Sequence, residues 1–424
     1  MLKPLGLGFL FLTTVLVCMG GKGLVVGPLS LEHPRNPSFI CGLCGLLYAL
    51  GRRKWVTVPA LPLALGYLAW CLFTDLFRGK DTAEALEYTL TNHVFLMTFL
   101  AGVPQILSRA KTLRWNVYIF LAVATIIGLY CTYEHWQYGL GEYFMRHTFW
   151  RTKGRLGGFF LTTFCSCLGL LIAYWRKPRL LILLGILGLF ALFGLLYSYD
   201  RTSYVGLVAS CGLVFLLFFK RGWLPMLTLL ILVILLALLG TRNYISNNLY
   251  EVDIPRRIRS IFDLKDATLR HRFLVWQGSA KMVARHPFIG VGEVQFFDTY
   301  RELKPPEETE SDRHNAFHAH NILLHAAATR GLPGAVLLSV ILVVYLRWLW
   351  GPGTSKKSPL ALGLGLGALA SLGGIVMDGM GDVPKFTNVL TVVLQLAWAS
   401  SAYHLGNNLP YGRNGEVEKL DSST

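Results

Sequence analysis

The sequence is poor in charged residues, and the charge it does carry is mostly of one sign. Charged residues make up 15% of the 424 positions, against 53% hydrophobic residues. A soluble globular domain carries about 25% charged residues. Lys and Arg together number 40, whereas Asp and Glu number 24, and the mean hydropathy is +0.48. This composition excludes an ordinary soluble domain and predicts an all-α polytopic membrane protein.

Cysteine is missing from the one long polar loop of the chain, which excludes a disulfide framework there. All eight cysteines lie in or beside apolar stretches. The pair Cys41-x-x-Cys44 has no second ligand pair nearby, so we interpret it as buried and structural rather than metal-binding or redox-active. The sequence also lacks internal repeats, heptads and low-complexity tracts, which excludes a repeat architecture.

Apolar windows long enough to cross a bilayer recur along the whole chain. They predict about twelve transmembrane helices, of which the glycine-broken second is the shortest. The predicted spans are 5–27, 38–51, 55–74, 90–108, 115–133, 157–175, 180–198, 203–219, 223–241, 332–350, 359–377 and 387–403.

Basic residues are concentrated in alternate short turns, which predicts the orientation in the membrane. The clearest of these turns are 52–54, 109–114, 176–179, 220–221 and 356–357. By the positive-inside rule these turns and both termini are cytoplasmic. Because the basic residues are scattered over short turns, we do not interpret them as a nucleic-acid footprint.

The domain organisation follows from this orientation. Residues 1–241 form transmembrane helices 1–9, and residues 242–331 form a long loop on the outer, periplasmic side that contains short helices. Residues 332–404 form helices 10–12, and residues 405–424 form a cytoplasmic tail.

The long loop contains a run of arginines within a predicted helix from Arg272 to Ala284. Phe273, Trp276, Ala280 and Val283 recur at helical spacing and predict an apolar face turned to the membrane. His286-Pro287 ends this helix, and Gly290-Val291-Gly292 forms a tight turn. Arginines such as Arg270 and Arg272 suit a diphosphate, because a guanidinium donates two hydrogen bonds while staying charged. The alternative is contact with anionic lipid head groups.

Two further arginines flank predicted spans at head-group depth. Arg201 lies in a short turn, Asp200-Arg201-Thr202-Ser203, and is a second candidate phosphate ligand. The alternative is a structural Asp–Arg pair that closes the turn. Arg155, in Gly154-Arg155-Leu-Gly-Gly158, enters the next span in a similar way and is a weaker candidate.

Residues 318–329 predict a short helix that ends at Gly331, with Pro333 in the first turn of the following span. This places His320 in the first turn of the short helix, where the helix dipole keeps its imidazole neutral. A neutral imidazole can act as a general base. Asn321 and His325 share a helical face and could orient the site or each other.

Three alternatives compete with the general-base interpretation. The first is an interfacial histidine with ordinary hydrogen bonds. The second is a metal site built from His314, His318, His320 and His325, but no carboxylate is clearly placed with them. The third is a proton-coupled transporter, which is disfavoured because the apolar windows are almost free of charge.

The motif His320-Asn321-x9-Gly331-x-x-Gly334 resembles the signature of bacterial O-antigen ligases. Arg272-x-x-x-Trp276, His286-Pro-Phe-Ile-Gly-Val-Gly292 and the span-flanking Arg201 add to the resemblance. It is specific over about 197–220 and 268–340. The same wider family includes O-antigen polymerases and oligosaccharide-to-protein ligases.

The resemblance implies a fold related to the C-type membrane glycosyltransferases and a site on the periplasmic side of the bacterial inner membrane. The donor would be polysaccharide on undecaprenyl diphosphate, and the acceptor a sugar hydroxyl of the lipid A–core oligosaccharide. His320 would act as general base while Arg201 and Arg272 hold the leaving diphosphate, in an inverting transfer without metal, ATP or other cofactor. Further expected substrate contacts are Arg155, Arg270, Trp276, His318 and Asn321.

One departure from the family pattern is that three further histidines crowd His320. His318 could replace His320 as the base, and Asp378 or Asp382 could orient a base or pair an arginine. The rival functions are an O-antigen polymerase, a protein-glycosylating ligase and, from another class, a lipid or solute transporter.

Overall fold

The computed structural model describes the chain in thirteen segments. They are residues 2–19, 24–26, 29–31, 34–77, 82–138, 153–198, 200–218, 258, 261, 263, 266–307, 316–354 and 358–408. The predicted span 223–241 and the predicted tail residues 409–424 lie outside the described residues.

The described residues are overwhelmingly helical, which confirms the predicted all-α class. The α-helices in chain order are α1 Leu2–Cys18, α2 Arg35–Arg52, α3 Leu61–Leu76, α4 Thr82–Thr89, α5 Phe95–Ile106, α6 Ala110–Tyr138, α7 Lys153–Ala173, α8 Pro178–Tyr197, α9 Arg201–Phe218, α10 Ala267–Arg285, α11 Phe296–Leu303, α12 Ile322–Trp350, α13 Pro359–Asp378 and α14 Phe386–Asn408. A π-helical turn, Leu90–Val94, joins α4 to α5, and a 3-10 turn, Pro352–Thr354, follows α12.

A small antiparallel hairpin follows α1 and corrects the first predicted span. Its strands are β1 Leu24–Val26 and β2 Leu29–Leu31, with Val25 opposite Ser30. The prediction of one helix over 5–27 was therefore wrong at its C-terminal end, since α1 ends at Cys18. The β-branched pair Val25-Val26 favours an extended backbone.

Six helices in the described part of the chain are long and apolar enough to cross a membrane. They are Ala110–Tyr133, Gly154–Ala173, Pro178–Tyr197, Ile322–Thr354, Pro359–Asp378 and Phe386–Asn407. Three shorter apolar helices accompany them, namely Leu2–Cys18, Leu61–Leu76 and Arg201–Leu217. The helices match most of the predicted spans in position, whereas the number of twelve stays a prediction.

Helix α13 lies at the centre of the bundle, against α7 and α9. Its glycines allow this approach: a Cβ at Gly367 would lie 3.0 Å from the Cα of Ser166 on α7, and one at Gly374 would lie 3.1 Å from the Gly206 carbonyl oxygen on α9. Small residues let membrane helices pack backbone to backbone. The close packing fixes the C-terminal end of α13 beside the first turns of α7 and α9.

Polar residues sort to the two ends of this bundle. At one end Lys3 Nζ donates to Ser108 Oγ at 3.3 Å, and Arg52 Nη1 donates to Tyr48 Oη at 2.7 Å. These groups belong to the basic turns that the positive-inside rule assigns to the cytoplasm. The candidate site residues described below lie at the other end, where α7, α9 and α14 begin and α13 ends.

All eight cysteines are buried and none forms a disulfide, which confirms the predicted burial of Cys41 and Cys44. Cys41 and Cys44 lie one helical turn apart on α2.

Candidate functional site

Arg201 and the start of α10 are joined by an ion pair. The Arg201 guanidinium donates from Nη2 to Asp266 Oδ2 at 2.8 Å. Asp266 is also the N-cap of α10, where its other oxygen accepts from the backbone of Thr268 at 3.0 Å and Leu269 at 3.2 Å. The hydrogen bond from Arg201 holds the pKa of Asp266 below its usual range. The carboxylate therefore ties α9 to α10.

Asp200 is not the carboxylate that binds the Arg201 guanidinium in this ion pair. Its oxygens accept hydrogen bonds from the hydroxyls of Thr202, at 2.9 Å, and Ser203, at 2.7 Å. The alternative of a local Asp–Arg pair thus gives way to a long-range pair with Asp266, because α10 brings a capping carboxylate to the start of α9.

Arg201 and Arg272 line the same cavity of about 220 Å³. The rest of its wall is mostly apolar, and the lining residues besides the two arginines are Thr202, Val205, Ile261, Leu269, Phe273, Trp276, Met377, Met380 and Gly381. Two arginines in an apolar wall fit a ligand with an anionic group and a hydrocarbon part. The structure thereby brings together three of the predicted residues, Arg201, Arg272 and Trp276.

The α10 side of this cavity has two buried donors without a hydrogen-bond partner among the described residues. They are Arg272 Nε and Trp276 Nε1. Buried polar groups are usually satisfied, so a donor without a partner at a cavity wall is suited to a ligand. Both donors come from α10, one turn apart.

The face of α10 that packs against the protein is separate from the apolar face predicted to turn to the membrane. The buried residues are Leu274, Val275, Gly278, Ser279 and Met282, whereas Phe273 is 44% exposed and Ala280 is exposed. The small Gly278 decides this, because a Cβ there would clash with the Tyr300 ring on α11. The exposed Phe273 and Ala280 leave the apolar face turned to the membrane as a prediction, while the helix itself and its end at His286 are confirmed.

The turn from Gly379 to Asp382 connects the cavity to the histidine segment. Gly381 approaches both arginine-bearing helices: a Cβ there would lie 2.6 Å from Thr202 Cγ2 and 3.6 Å from Arg272 Nη1. On the other side, the backbone of Ile322 donates to the Gly379 carbonyl at 2.7 Å. We call residues 379–382 the linking turn.

Asn321 is the N-cap of α12, and this corrects the prediction of a helix over 318–329. Its side-chain oxygen accepts from the backbone of Leu323 at 3.1 Å and Leu324 at 3.0 Å, and its Nδ2 donates to the Met380 carbonyl at 3.3 Å. Asn is among the best N-cap residues, so the helix begins at Ile322. His320 lies before it in a left-handed conformation with φ 49°, and the helix-dipole argument for His320 was wrong. The predicted break at Gly331 is confirmed, with φ 74°.

His320 is oriented by a carboxylate instead. Its Nδ1 lies 3.1 Å from Asp382 Oδ1, on the linking turn. Burial by itself would raise the pKa of Asp382, but the hydrogen bond with His320 and the nearby Lys385 hold the pKa well below its usual range. A carboxylate that accepts from Nδ1 leaves Nε2 as the proton-accepting nitrogen. His271, on α10, lies beside the pair, with its ring 5.9 Å from that of His320.

His318 is close to the same carboxylate but differs in its surroundings. Its Nε2 lies 3.1 Å from Lys385 Nζ and 3.6 Å from Asp382 Oδ1. Burial and the charge of Lys385 lower the pKa of His318 to about 3. A histidine with so low a pKa is a poor proton acceptor near neutral pH, so the geometry favours His320 over His318 as a base.

The described residues contain one set of side chains with the spacing of a metal site. Ligand atoms of His318, His320 and Asp382 lie within 4.8 Å of one another. From the sequence, no carboxylate was clearly placed with these histidines. In the structure Asp382 lies beside them. The ammonium of Lys385, 3.1 Å from His318 Nε2 and 4.0 Å from Asp382 Oδ2, opposes a second cation at this position. The set fits a hydrogen-bonded base better.

The other two predicted arginines do not line the cavity. Arg155 lies in the first turn of α7, behind the linking turn: a Cβ at the preceding Gly154 would lie 3.7 Å from oxygens of both Asp200 and Asp382. Arg270 is exposed on α10. Arg155 is therefore near the histidine side of the site, and Arg270 faces away from the cavity.

A set of buried ionic residues behind the site was not among the residues predicted from the sequence. The Arg330 guanidinium, on α12, binds Asp75 of α3 and contacts the hydroxyls of Thr74 at 3.1 Å and Thr89 at 3.0 Å. Glu293, after the Gly290–Gly292 turn, pairs with His325 at 2.7 Å. The acid Asp75 inside an apolar helix was the available signal, since charged residues at such positions need a buried partner.

Comparison with known proteins gives one family. Residues 186–339 match the sequence model of the O-antigen ligase family, a range that includes Arg201, Arg272, Trp276 and the histidine segment. No curated protein matches the chain. The match supports a glycosyl-transfer type of enzyme. Residues 186–339 of this chain are thus similar to the O-antigen ligase domain.

Proposed function

We propose that this protein transfers O-antigen polysaccharide from undecaprenyl diphosphate to a sugar hydroxyl of lipid A–core on the periplasmic side of the bacterial inner membrane. The observation that carries the proposal is the linking turn. On one side its residues Met380 and Gly381 line the cavity of Arg201 and Arg272, and on the other its Asp382 binds His320. An anion site and a base thus adjoin, as a displacement at a sugar diphosphate requires.

The donor half of the proposal concerns the cavity. The arginines take the diphosphate, and the apolar wall around Trp276 takes the first part of the prenyl chain. As the bond from the anomeric carbon to the diphosphate breaks, negative charge grows on the leaving group, and fixed guanidinium groups lower the barrier. A contact of this kind contributes about 3 kcal/mol, or roughly a hundredfold in rate.

The acceptor half concerns the histidine. The acceptor hydroxyl gives its proton to Nε2 of His320 while its oxygen bonds to the anomeric carbon from the face opposite the diphosphate. The transfer therefore inverts the anomeric centre in one displacement. Asp382 holds the imidazole in the tautomer that accepts at Nε2 and stabilises the imidazolium that forms.

The separation of the basic turns from the histidine segment, at opposite ends of the bundle, supports the proposed orientation in the membrane. The basic turns near Lys3 and Arg52 are placed in the cytoplasm, and the end with His320 faces the periplasm. Lipid-linked donor and lipid-anchored acceptor then both reach the site from the outer leaflet. His318, Asn321 and Arg155 lie on the acceptor side of the linking turn, and we assign them to acceptor contacts or to support of the base.

The test is transfer by the purified protein in lipid nanodiscs, with undecaprenyl-diphosphate oligosaccharide as donor and lipid A–core as acceptor. We expect glycosylated lipid A–core by mass spectrometry, and its loss in His320→Ala. His404→Phe, in α14 and far from the site, is the matched histidine control and should transfer normally.

The product distinguishes the rival functions. A lengthened glycan on the carrier lipid would identify an O-antigen polymerase, and glycan on a Ser, Thr or Tyr hydroxyl a protein ligase. Normal transfer by folded His320→Ala would overturn the assignment of the base. Movement of the donor across the membrane, undisturbed in His320→Ala and without any product, would instead indicate a transporter.

A further inference from the structure

Behind the histidine segment, a chain of buried hydrogen bonds links four parts of the fold. Tyr88, on α4, donates from its hydroxyl to Glu293 Oε1 at 3.0 Å. His325 Nε2, on α12, lies 2.7 Å from the same oxygen. The backbone N–H of Ala319, between His318 and His320, donates to His325 Nδ1 at 3.4 Å. The chain therefore ends at the peptide next to the proposed base.

We infer that Glu293 and His325 are a positioning pair that sets the backbone of the 318–320 segment and thereby aims His320 at Asp382. The inference rests on the proposed function, because it assigns the pair a role through His320. Neither side chain lines the cavity of Arg201 and Arg272, so the pair acts on the base and not on the diphosphate.

The hydrogen bonds of His325 agree on one tautomer. Nδ1 accepts from the Ala319 N–H, so the proton of the neutral ring is on Nε2 and is donated to Glu293. The side chains of His325 and Glu293 are only 10% and 17% exposed. Burial would raise the pKa of Glu293, but His325 and Arg330 hold it well below its usual range. Glu293 is thus a carboxylate that accepts from Tyr88 and His325 together.

The 318–320 segment needs such support because of its backbone. His320 has φ 49°, a left-handed conformation that a non-glycine residue keeps only when its surroundings fix it. Asn321 fixes the C-terminal side of His320 by capping α12. The N-terminal side is fixed by the bond from Ala319 to His325. The N–H of His320 donates to His318 Nδ1 at 3.4 Å within the same segment, so only the bond to His325 ties the segment to α12 from this side. Without that bond we expect the segment to shift and the imidazole to move away from Asp382.

Glu293 itself is held rigidly against α12. The backbone of Val291 donates to the Ala328 carbonyl at 2.6 Å, and that of Gly292 to the Thr329 carbonyl at 2.9 Å. Gly290 has φ 69°, and a Cβ there would clash with the backbone of Gly331. The glycine turn therefore delivers Glu293 to His325 at a fixed position.

The test separates a role in positioning from a role in folding alone. His325→Phe keeps a ring but loses both hydrogen bonds, whereas His325→Asn keeps an acceptor at the position of Nδ1. Glu293→Gln keeps an acceptor oxygen and loses the charge. All are assayed in nanodiscs for kcat and donor KM per folded molecule, beside wild type, His320→Ala and the control His404→Phe.

We expect His325→Phe to lower kcat about tenfold to a hundredfold, with donor KM within about threefold. His325→Asn should recover part of the lost kcat, because it again accepts from Ala319. The limb of the pH–rate profile that reports the base should shift in His325→Phe and in Glu293→Gln, since both alter the coupling of His320 to Asp382.

Two outcomes would overturn the inference. One is an unchanged kcat and pH profile in folded His325→Phe, and the other is a loss of kcat that His325→Asn does not recover while Glu293→Gln remains normal. If His325→Phe does not fold, Glu293→Gln and His325→Asn decide by their pH profiles. Normal transfer by His320→Ala would instead refute the proposed function, so the two failures are distinguishable.

Discussion

Arg330 and Arg272 are the same residue type at the same end of the bundle, yet their surroundings are opposite. Arg330 is 1% exposed, and its terminal nitrogens bind Asp75, two threonine hydroxyls and the Cys71 carbonyl. Arg272 instead lines a cavity, and no carboxylate among the described residues pairs with its guanidinium, although the buried Nε of each arginine lacks a hydrogen-bond partner there. The first arrangement uses the charge to hold helices together. The second leaves donors ready for a ligand.

The presence or absence of a buried carboxylate partner separates a structural arginine from one suited to ligand binding in this membrane protein. Burying a charge costs free energy unless a partner of opposite charge offsets the loss of solvation. Arg330 has its partner in Asp75 on α3, so the pair fixes the kinked helix α12 against α3. Arg272 has no such carboxylate among the described residues, and an anion bound in the cavity would offset the cost of its partial burial. Arg201 is intermediate, since Asp266 binds one nitrogen while the side chain still lines the cavity.

The largest effect should come from breaking the structural pair. Arg330→Ala leaves Asp75 buried without a cation, and we expect the free energy of unfolding to fall by about 3–5 kcal/mol. Thermal unfolding in nanodiscs and the level of folded protein in membranes measure it. The double variant Arg330→Met with Asp75→Leu should recover most of the stability. No recovery there, or a stable Arg330→Ala, would contradict the structural assignment.

The next largest effect should come from Arg272, on activity and not on stability. Arg272→Ala should lower transfer by roughly a hundredfold, about 3 kcal/mol in the barrier, with the unfolding temperature unchanged. Arg272→Lys should recover only part, because an ammonium cannot form the two-pronged contact. The exposed Arg270→Ala, two residues away on the same helix, is the matched control. An equal loss of transfer activity in both variants would show that the net positive charge of α10, and not a specific contact by Arg272, supports transfer.

The third prediction concerns the orienting carboxylate, Asp382. Asp382→Asn should lower kcat about tenfold or more, since an amide can present its N–H to Nδ1 and favour the wrong tautomer of His320. The affinity for the donor should stay unchanged, because Asp382 does not line the cavity. The measurement is kcat beside the affinity for undecaprenyl diphosphate. A fall in affinity with a normal kcat would instead place Asp382 in donor binding.

The smallest effect should come from Asp266, the ion-pair partner of the cavity-lining Arg201. Its folded-state pKa is depressed by Arg201, so the pair contributes stability above the unfolded pKa of about 3.9 and loses it as pH falls through the folded value. Asp266→Asn keeps the N-cap and removes this pH dependence. We expect a donor KM changed by only a few-fold, measured beside unfolding temperatures from pH 3 to 7. A pH profile identical to wild type would contradict the pairing.

Much of the framework could be predicted from the sequence, because it depends on local pattern. The apolar windows gave most helices to within a few residues, as for 180–198 against Pro178–Tyr197. The end of α10 at His286 and the break at Gly331 follow from Pro and Gly positions. The start of α12 was predicted wrongly. The sequence predicted a helix from residue 318, but the Asn321 side chain caps the helix, so α12 begins after His320 and not before it.

What the sequence by itself determined is the membrane class, the helices and the identity of the histidine and arginines that could carry the chemistry. Each of these follows from hydropathy, spacing and side-chain chemistry over a short stretch of chain. Only the tertiary structure decided their partners: Asp382 for His320, Asp266 for Arg201, and Asp75 for Arg330. Those partners lie 62, 65 and 255 residues away along the chain. The packing of α13 against α7 and α9 brings the linking turn to the site, and no local pattern encodes such a contact.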